Sequence, residues 1–469
     1  MIYFWAIAAY LIFLIFVGAY RSRMVKTSAD FMVAGRRLTT PILIGTLLAT
    51  WIGSGSIIAG GEFSYKNGFA GLWMPAGAWA GIVILYFISG RARRLAQFTV
   101  PDILELRYNK YARLLGTITT IIAYTAIVSY QFRAGGFVLN LVVGIPESQG
   151  ILITAGFVIL YTALAGMISV AYTDVVNGLV IMIGIFIGLP YLLNHAGGWS
   201  AVRASLPADH FTILGSMSFL QVLGYFLPTM FLLLGESNMY QRFFSARDEG
   251  SAKRAVIGWT IGTIVIEIMI VAMAVVGSSL YKDILPETVI IHAARYGLPT
   301  VLGCLLLATI VAVIVSTADS FLLVPATNVM RDIYQRFINP NLSEKKMVAY
   351  SRLAVVILGL LAFIQVRWFG SVLAMAIYAY TMYGSGITPA TVGAFFFKRG
   401  TPLGGVSSIA LGIGVTIVWE LLKHPGGVPT IFPAIGASIS GLVVVSLLTP
   451  KPAEEKIRPF FPVSVNVKE

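Results

Sequence analysis

The sequence predicts an all-α polytopic membrane protein with about thirteen transmembrane helices. Of its 469 residues, 57% are hydrophobic and only 11% are charged. The mean hydropathy of +0.84 lies outside the range of soluble globular proteins. Apolar stretches of roughly 17–25 residues, the length that a helix needs to cross about 30 Å of hydrocarbon, recur along the whole chain. Together these observations predict a bundle of membrane-spanning helices.

The apolar stretches divide the chain into thirteen predicted spans joined by short polar loops. The first of them has no cleavage-type small-residue site and runs directly into a basic loop, so we interpret it as an anchor and not as a signal peptide. The predicted spans lie near Ile2–Tyr20, Pro41–Gly61, Gly71–Ser89, Leu114–Val143, Gly150–Val170, Asp174–Leu193, Ser216–Gly235, Ala255–Leu280, Leu298–Val324, Val348–Gln365, Val372–Phe397, Gly404–Leu422 and Thr430–Leu448.

The distribution of basic residues orients these spans. Cytoplasmic loops are enriched in Lys and Arg, and the loops on one side of the thirteen spans hold 25 of the 33 basic residues, while the opposite loops hold six. We therefore expect a multi-pass protein of the plasma (inner) membrane, with its N-terminus outside and its C-terminus in the cytoplasm. The net charge of +13 reflects this topology and does not indicate a nucleic-acid partner, whose binding would require basic residues gathered in one soluble domain.

The sequence has no pattern typical of a catalytic site or a metal site. The single cysteine, Cys304, excludes a disulfide framework, and the four histidines have no metal-ligand spacing. No Ser/His/Asp cluster suggests a catalytic site. We expect neither an enzyme nor a bound cofactor.

Charged residues inside spans are costly and therefore point to function. Five occur within or at the ends of the predicted spans: Arg133, Asp174, Glu236, Glu267 and Asp319. Of these, Glu267 lies on a helix without other polar signals, and the sequence predicts no role for it.

The stretch "IVSTADSFLLVPATNVM" places polar residues in the middle of an apolar helix. Ser316, Asp319 and Ser320 stand at positions i, i+3 and i+4 and so share one face, with Thr317 beside them. Hydroxyl and carboxylate oxygens are ligands that small hard cations prefer. Alternatively, the hydroxyls bond to carbonyls one turn earlier and Asp319 pairs with a neighbouring helix.

Two further stretches carry polar residues within a predicted span or at the start of one. "TLLATWIGSGSIIAGG" has Gly53-Ser54-Gly55-Ser56 at its centre, a poor helix interior because each glycine costs about 1 kcal/mol relative to alanine. A break there frees carbonyls, such as those in secondary transporters that hold the coupling ion; the alternative is close helix packing by small residues. In "ALAGMISVAYTDVVNGLVI", Asp174 is either a buried functional carboxylate or only the N-cap of the next helix.

These stretches resemble the sodium/solute symporter family, which includes the sodium-driven sugar, proline, pantothenate and choline transporters. The resemblance covers Ile2 to Leu448. "ATWIGSGSI", "GMISVAYTDVVNG" and "VSTADSFLLVPATNVMRDIYQ" are similar to the choline branch, "YQFRAGGFVLNLVVGIPESQGILI" looks more like the pantothenate branch, and "MYQRFFSARDEGSAKRA" is a further family motif.

The resemblance implies a LeuT-type core of two inverted five-helix repeats. The corresponding divisions are 1–40 (extra helix and loop), 41–400 (core, with repeats at about 41–195 and 216–400), 401–450 (two extra helices) and 451–469 (cytoplasmic tail). The resemblance also implies a sodium site formed by the carbonyls of Ala49, Ile52 and Val313 and the hydroxyls of Ser316 and Thr317. In some members a second sodium uses the positions of Asp174, Ser316, Asp319 and Ser320.

The function implied is sodium-coupled symport of a small organic solute into the cell by alternating access. Proton coupling by the same fold is the nearest alternative, since Asp174 and Asp319 can carry protons. A membrane-embedded solute sensor is a second alternative, although only about twenty residues follow Leu448, too few for an appended signalling domain.

The solute is expected beside the break, with Trp51 as its first contact. In choline transporters the matching tryptophan helps to form an aromatic cage, but the other cage positions here are Ile127 and Glu236, which makes choline doubtful. Arg133 can clamp a carboxylate and Glu236 can receive an amine, unless the two only form an ion pair. An amine, zwitterion or small carboxylate thus fits better than a sugar. Further candidate lining residues are Gln131, Tyr240, Tyr378 and Tyr380.

Overall fold

The computed structural model describes residues 2–22, 27–165, 167–368 and 370–461, and every regular element within them is a helix. A single isolated bridge joins Leu38 and Ala246. The α-helices are α1 (Ile2–Ser22), α2 (Ser28–Val33), α3 (Thr40–Trp51), α4 (Gly60–Asn67), α5 (Trp73–Leu95), α6 (Val100–Arg107), α7 (Lys110–Val143), α8 (Glu147–Ala165), α9 (Met167–His195), α10 (Gly198–Ser205), α11 (Phe219–Gly235), α12 (Ser237–Ser245), α13 (Glu249–Leu280), α14 (Val289–Tyr296), α15 (Thr300–Asn328), α16 (Glu344–Gln365), α17 (Val372–Gly386), α18 (Thr388–Phe396), α19 (Pro402–Leu421), α20 (Ile431–Leu448) and α21 (Glu454–Ile457).

The predicted spans coincide with these helices. Among the described residues, ten helices are long and apolar enough to cross a membrane by length and composition. The three remaining predicted spans, near 2–20, 41–61 and 372–397, fall on a shorter apolar helix or on helices broken in two. The all-α membrane fold is therefore confirmed. The predicted tail at 451–469 lies outside the described residues from position 462 onward.

The first broken helix is the one that the glycine-rich stretch predicted. α3 ends at Trp51, Ile52 leaves the helical region at φ −72° and ψ 87°, and the chain resumes as a π-helical turn at Gly55–Ala59 that leads into α4. Glycine is needed here for close approach: a Cβ on Gly53 would lie 2.7 Å from the Thr317 hydroxyl. The break therefore packs directly against α15.

A second helix is broken at the corresponding place in the other half of the chain. α11 ends at Gly235, Glu236 is extended at φ −64° and ψ 115°, and α12 continues from Ser237. The Tyr383 hydroxyl bridges the two ends, because it accepts from the Ser237 backbone N–H at 3.0 Å and donates to the Gly235 carbonyl at 2.8 Å. Each predicted half thus begins with an interrupted helix, the feature that marks binding sites in secondary transporters.

Buried ion pairs join the helix ends on the side where most basic residues lie. Arg113 lies 2.6 Å from both Asp102 and Asp332 and 2.7 Å from Glu105. Arg336 adds a further contact to Glu105 at 2.6 Å. These contacts connect α6, α7 and the π-helical segment that continues α15. They close that end of the bundle with charge-assisted hydrogen bonds.

Candidate cation and solute sites

The polar turn of α15 faces the break in α3. Ser316 is fully buried, and its Oγ lies 3.0 Å from the Ala49 carbonyl oxygen and 2.6 Å from Asp174 Oδ1. Thr317 Oγ1 lies 3.5 Å from the Thr50 carbonyl oxygen. The structure thus brings together oxygens from three helices, α3, α9 and α15. Hard oxygen ligands gathered in this way suit a small alkali cation.

The other two predicted ligands of this group lie in the same core. Ile52 and Val313 are fully buried, and the non-helical ψ of Ile52 turns its carbonyl out of the helical hydrogen-bond ladder. Ile52 directly follows the end of α3, and Val313 lies on α15 about one turn before Ser316 and Thr317.

Asp174 is a buried carboxylate in the interior of α9, so the alternative that it only caps a helix is wrong. Its Oδ2 accepts hydrogen bonds from Thr46 Oγ1 at 2.6 Å and from Thr50 Oγ1 at 3.3 Å. Arg242 Nη2 approaches the same oxygen at 3.3 Å. Since both threonines belong to α3, Asp174 ties α9 to the helix that breaks.

Arg242 is a functional candidate that the sequence did not reveal. By its position in the sequence it belongs to the basic connection 242–254 that follows the seventh predicted span, but the structure places it on α12 with its side chain fully buried. The guanidinium donates to Ser320 Oγ at 2.8 Å, to Thr46 Oγ1 at 3.1 Å and to the Asn238 carbonyl at 3.2 Å. It therefore lies inside the predicted second cation group.

Asp319 completes that group and leaves it with excess negative charge. Ser320 Oγ donates to Asp319 Oδ1 at 3.2 Å, while the buried Oδ2 has no hydrogen-bond partner among the residues described. The group thus holds two carboxyl groups, those of Asp174 and Asp319, and one guanidinium, that of Arg242, which contacts Asp174 at 3.3 Å. Because an uncompensated buried charge costs several kcal/mol, the group has the charge and the free oxygen to receive one monovalent cation.

A small cavity lies beside the break in α3. Trp51 and Tyr380, two of the predicted solute contacts, line it together with Gly55, Ser56 and Glu267. Its volume is about 20 Å³, room for about one water molecule. An organic solute therefore needs the surrounding helices to move apart before it can bind.

Glu267 lines this cavity, although the sequence predicted no role for it. Its Oε1 accepts from Trp51 Nε1 at 3.0 Å and from Ser56 Oγ at 3.1 Å, and its Oε2 accepts from Trp79 Nε1 at 2.7 Å. The carboxylate thus connects α13 with the break and with α5. The sequence signal was only the charge itself, in a helix that is otherwise apolar over three turns.

Gln131 and Glu236 lie at the two breaks. Gln131 Oε1 accepts from the Ser54 hydroxyl at 2.7 Å and from its backbone N–H at 3.3 Å, while the buried Nε2 has no partner within the described part of the chain. Glu236 is fully buried, and one of its oxygens accepts from Asn238 Nδ2 at 3.3 Å. Both residues therefore keep a polar atom available for a ligand.

The structure places the remaining predicted solute residues away from the cavity. Arg133 lies 3.6 Å from Glu147 and 3.7 Å from Glu287. Tyr240 is buried among aromatic rings of its own helix and donates to the Leu234 carbonyl. Tyr378 lines a separate, open cavity.

A comparison with protein-family profiles assigns the chain to a family. The profile described as "Sodium:solute symporter family" matches residues 31–412, well over half of the chain. The chain belongs to the sodium:solute symporter family. The symporter is therefore a secondary transporter and not an enzyme, and it couples sodium to the movement of a small organic solute by alternating access.

Curated relatives of this symporter cover nearly its whole length. It is 26% identical to the high-affinity proline transporter PutP of Bacillus subtilis, with 94% of this chain and 97% of that protein aligned. It is 25% identical to the osmoregulated proline transporter OpuE of the same organism (97% and 96%) and to a sodium/proline symporter of Staphylococcus aureus (95% and 92%).

Solved structures confirm the fold. A Na⁺-coupled sialic acid symporter in a substrate-bound, outward-open state superposes with a TM-score of 0.84 at 18% identity, covering 97% of this chain and 98% of that one. The nucleobase-cation transporter Mhp1 superposes with a TM-score of 0.63 at 13% identity (92% and 97%). The amino-acid-bound transporter MhsT, at 0.53 and 14% identity (87% and 97%), shares the same LeuT-type architecture.

The symporter also has a large open cavity, here called the vestibule. Its volume is about 810 Å³, and Lys66, Tyr225, Tyr378 and Lys423 are among its lining residues. Phe63 stacks on Tyr225 with ring centroids 4.0 Å apart. This aromatic pair joins α4, which continues the broken helix, to α11 at the wall of the open cavity.

Proposed function

We propose that sodium bound between α3 and α15 drives uptake of a small zwitterionic solute that binds beside the break in α3. The coordinating oxygens are those of Ala49, Ile52, Val313, Ser316 and Thr317. The observation that carries this proposal is the 3.0 Å approach of Ser316 Oγ to the Ala49 carbonyl, across two helices that are 267 residues apart in sequence.

A cation at this place holds the two helices together, because it attracts oxygens from both of them at once. Ion and solute are coupled only if both prefer the same conformation. Sodium that holds the broken helix against α15 also fixes the wall of the solute cavity, to which Trp51 and Ser56 belong. One charge crossing a potential of about 100 mV supplies about 2.3 kcal/mol, and a roughly tenfold sodium gradient adds about 1.4 kcal/mol. Each coupled ion can therefore concentrate a solute several-hundred-fold.

A second sodium is proposed in the group Asp174, Ser316, Asp319 and Ser320. The excess negative charge of this group and the free Asp319 Oδ2 support a second cation. The same unpaired carboxylate favours the alternative, in which a proton takes the place of this second sodium.

The proposed solute is an amino acid of the size of proline. The proline transporters among the relatives support that choice, and Gln131 Nε2 offers an unpaired N–H group to a carboxylate at the break. Trp51 and Tyr380 are the proposed contacts in the cavity. Glu236 lies at the second break, whereas Arg133, Tyr240 and Tyr378 are assigned to the approach path or to packing.

The proposed core covers residues 41–400, with repeats at 41–195 and 216–400. The two interrupted first helices, α3/α4 and α11/α12, support this division. The charge distribution supports an external N-terminus and a cytoplasmic C-terminus, so we assign the vestibule to the outer face.

Uptake of labelled L-proline into proteoliposomes tests the proposal. At fixed pH, replacement of external sodium by potassium should abolish accumulation, because potassium does not fit the same oxygens. Undiminished accumulation in potassium would refute sodium coupling. A proton gradient that drives uptake without sodium would favour the proton-coupled alternative.

A further inference from the structure

A carboxylate without a cationic partner faces the solute cavity. Glu267 lies in the middle of α13 and is 3% exposed. No Lys, Arg or His among the described residues comes within 4.0 Å of it. Of the described residues that line the cavity, Glu267 alone is charged. The cavity therefore holds one carboxyl group, and no cationic side chain in its described walls pairs with it.

The hydrogen bonds of Glu267 fit the ionised form. Two donors point at Oε1, and one donor, Trp79 Nε1, points at Oε2. An ionised carboxylate accepts at both oxygens and offers about four acceptor positions, so at least one position stays open after these three bonds. Since a buried charge is stabilised by an opposite charge that also donates hydrogen bonds, the missing partner is a cation with N–H groups.

We infer that Glu267 determines the specificity of the symporter by receiving the protonated amine of its solute. This inference rests on the proposed function, because it assumes that the cavity is the solute site. A primary or secondary ammonium group supplies both the charge and the N–H donors. A quaternary ammonium supplies charge without donors, and a carboxylic acid that lacks nitrogen brings a second negative charge into the cavity. Glu267 thus selects by attraction and by repulsion.

A purely structural role makes a different prediction. If Glu267 only held Trp51 and Ser56 in position, its removal would weaken the binding of all solutes alike. If it receives the amine, its removal weakens the binding of amines selectively. The ratio of affinities between an amine and its nitrogen-free isostere therefore separates the two roles.

The experiment measures the ligand-induced rise in Tm of the purified symporter in saturating sodium, titrated with matched pairs of compounds. L-proline is paired with tetrahydrofuran-2-carboxylate, in which oxygen replaces the ring nitrogen, and L-alanine is paired with L-lactate. The wild type should bind the amine of each pair more tightly. Glu267→Gln should weaken the binding of the amines by about ten- to hundredfold, the range for a lost hydrogen bond to a charged group, and should not weaken the binding of the isosteres, which the loss of the repelling charge can only tighten. Glu249→Gln, the same substitution at the exposed start of the same helix, should behave as wild type.

The outcomes distinguish the inference from the proposed function. If no compound stabilises the wild type, the proposed solute class fails and the inference fails with it. If the wild type binds both members of a pair equally, or if Glu267→Gln keeps the preference for amines, the inference is overturned while sodium coupling stands. If Glu267→Gln is not recovered folded, Glu267→Asp decides: a retained preference with at least about tenfold weaker binding supports the inference, and unchanged binding overturns it.

Discussion

Substitution of Ser316 by alanine tests the cation site most directly. Its Oγ lies 3.0 Å from the Ala49 carbonyl and 2.6 Å from Asp174 Oδ1, so the substitution removes a proposed cation ligand and a hydrogen bond to a buried carboxylate. A hydrogen bond to a charged group contributes about 1.5–3 kcal/mol. Because each 1.4 kcal/mol is a factor of ten, the sodium concentration for half-maximal uptake should rise by about ten- to hundredfold.

The assay is sodium-dependent uptake of labelled L-proline into proteoliposomes, titrated with sodium at saturating solute. The matched control is Ser408→Ala, which removes another buried serine hydroxyl, 3.0 Å from Ser438 Oγ between α19 and α20. These helices lie outside the proposed core, so the control should keep the sodium dependence of the wild type. A half-saturation for Ser316→Ala within about twofold of the control, a difference of less than 0.5 kcal/mol, would refute the proposed cation site.

Three further variants test neighbouring parts of the site. Gly55→Ala would place a Cβ 2.2 Å from the Tyr380 hydroxyl; we expect loss of uptake, whereas Gly414→Ala, with no atom within 4 Å, should transport normally. Asp319→Asn should reduce the number of sodium ions per solute by one in a reversal-potential measurement, and an unchanged ratio with a lost pH dependence would indicate a proton at this position instead. Arg242→Gln should lower stability by about 3–5 kcal/mol, because it leaves a buried carboxylate unpaired; thermal unfolding measures this, and a Tm equal to that of wild type would contradict the ion pair.

The sequence predicted the spans and the polar turn of α15 because both are local signals. Span length follows directly from the length of the apolar runs. The spacing of Ser316, Asp319 and Ser320 places them on one face of a helix, whatever the orientation of that helix in the bundle. The break at Gly53–Gly55 follows from two glycines in a helix interior. Each of these inferences needs only residues that are close in the chain.

Arg242 and Glu267 could not be assigned from the sequence, since their roles depend on contacts between distant segments. A helix that is apolar on all sides has no polar face to show which side turns inward, so α13 gave no sign that Glu267 points at the cavity. Arg242 is the first residue of the basic connection 242–254. Its position relative to the apolar spans therefore assigned it to a loop. Its burial follows from the second break, at Glu236, which carries α12 back into the bundle.

The positions of the two proposed ligands around one break explain why their binding should be coupled. Thr46 and Ala49, on the N-terminal side of the break, contact the cation groups, and Ser56, on the C-terminal side, contacts the carboxylate of the solute cavity. A rigid helix would transmit little between these sides, because its hydrogen bonds already fix their relative orientation. The interrupted segment between them instead has a conformation that both ligands can bias. Thermodynamic linkage then requires that solute tighten sodium binding by the same factor by which sodium tightens the binding of solute.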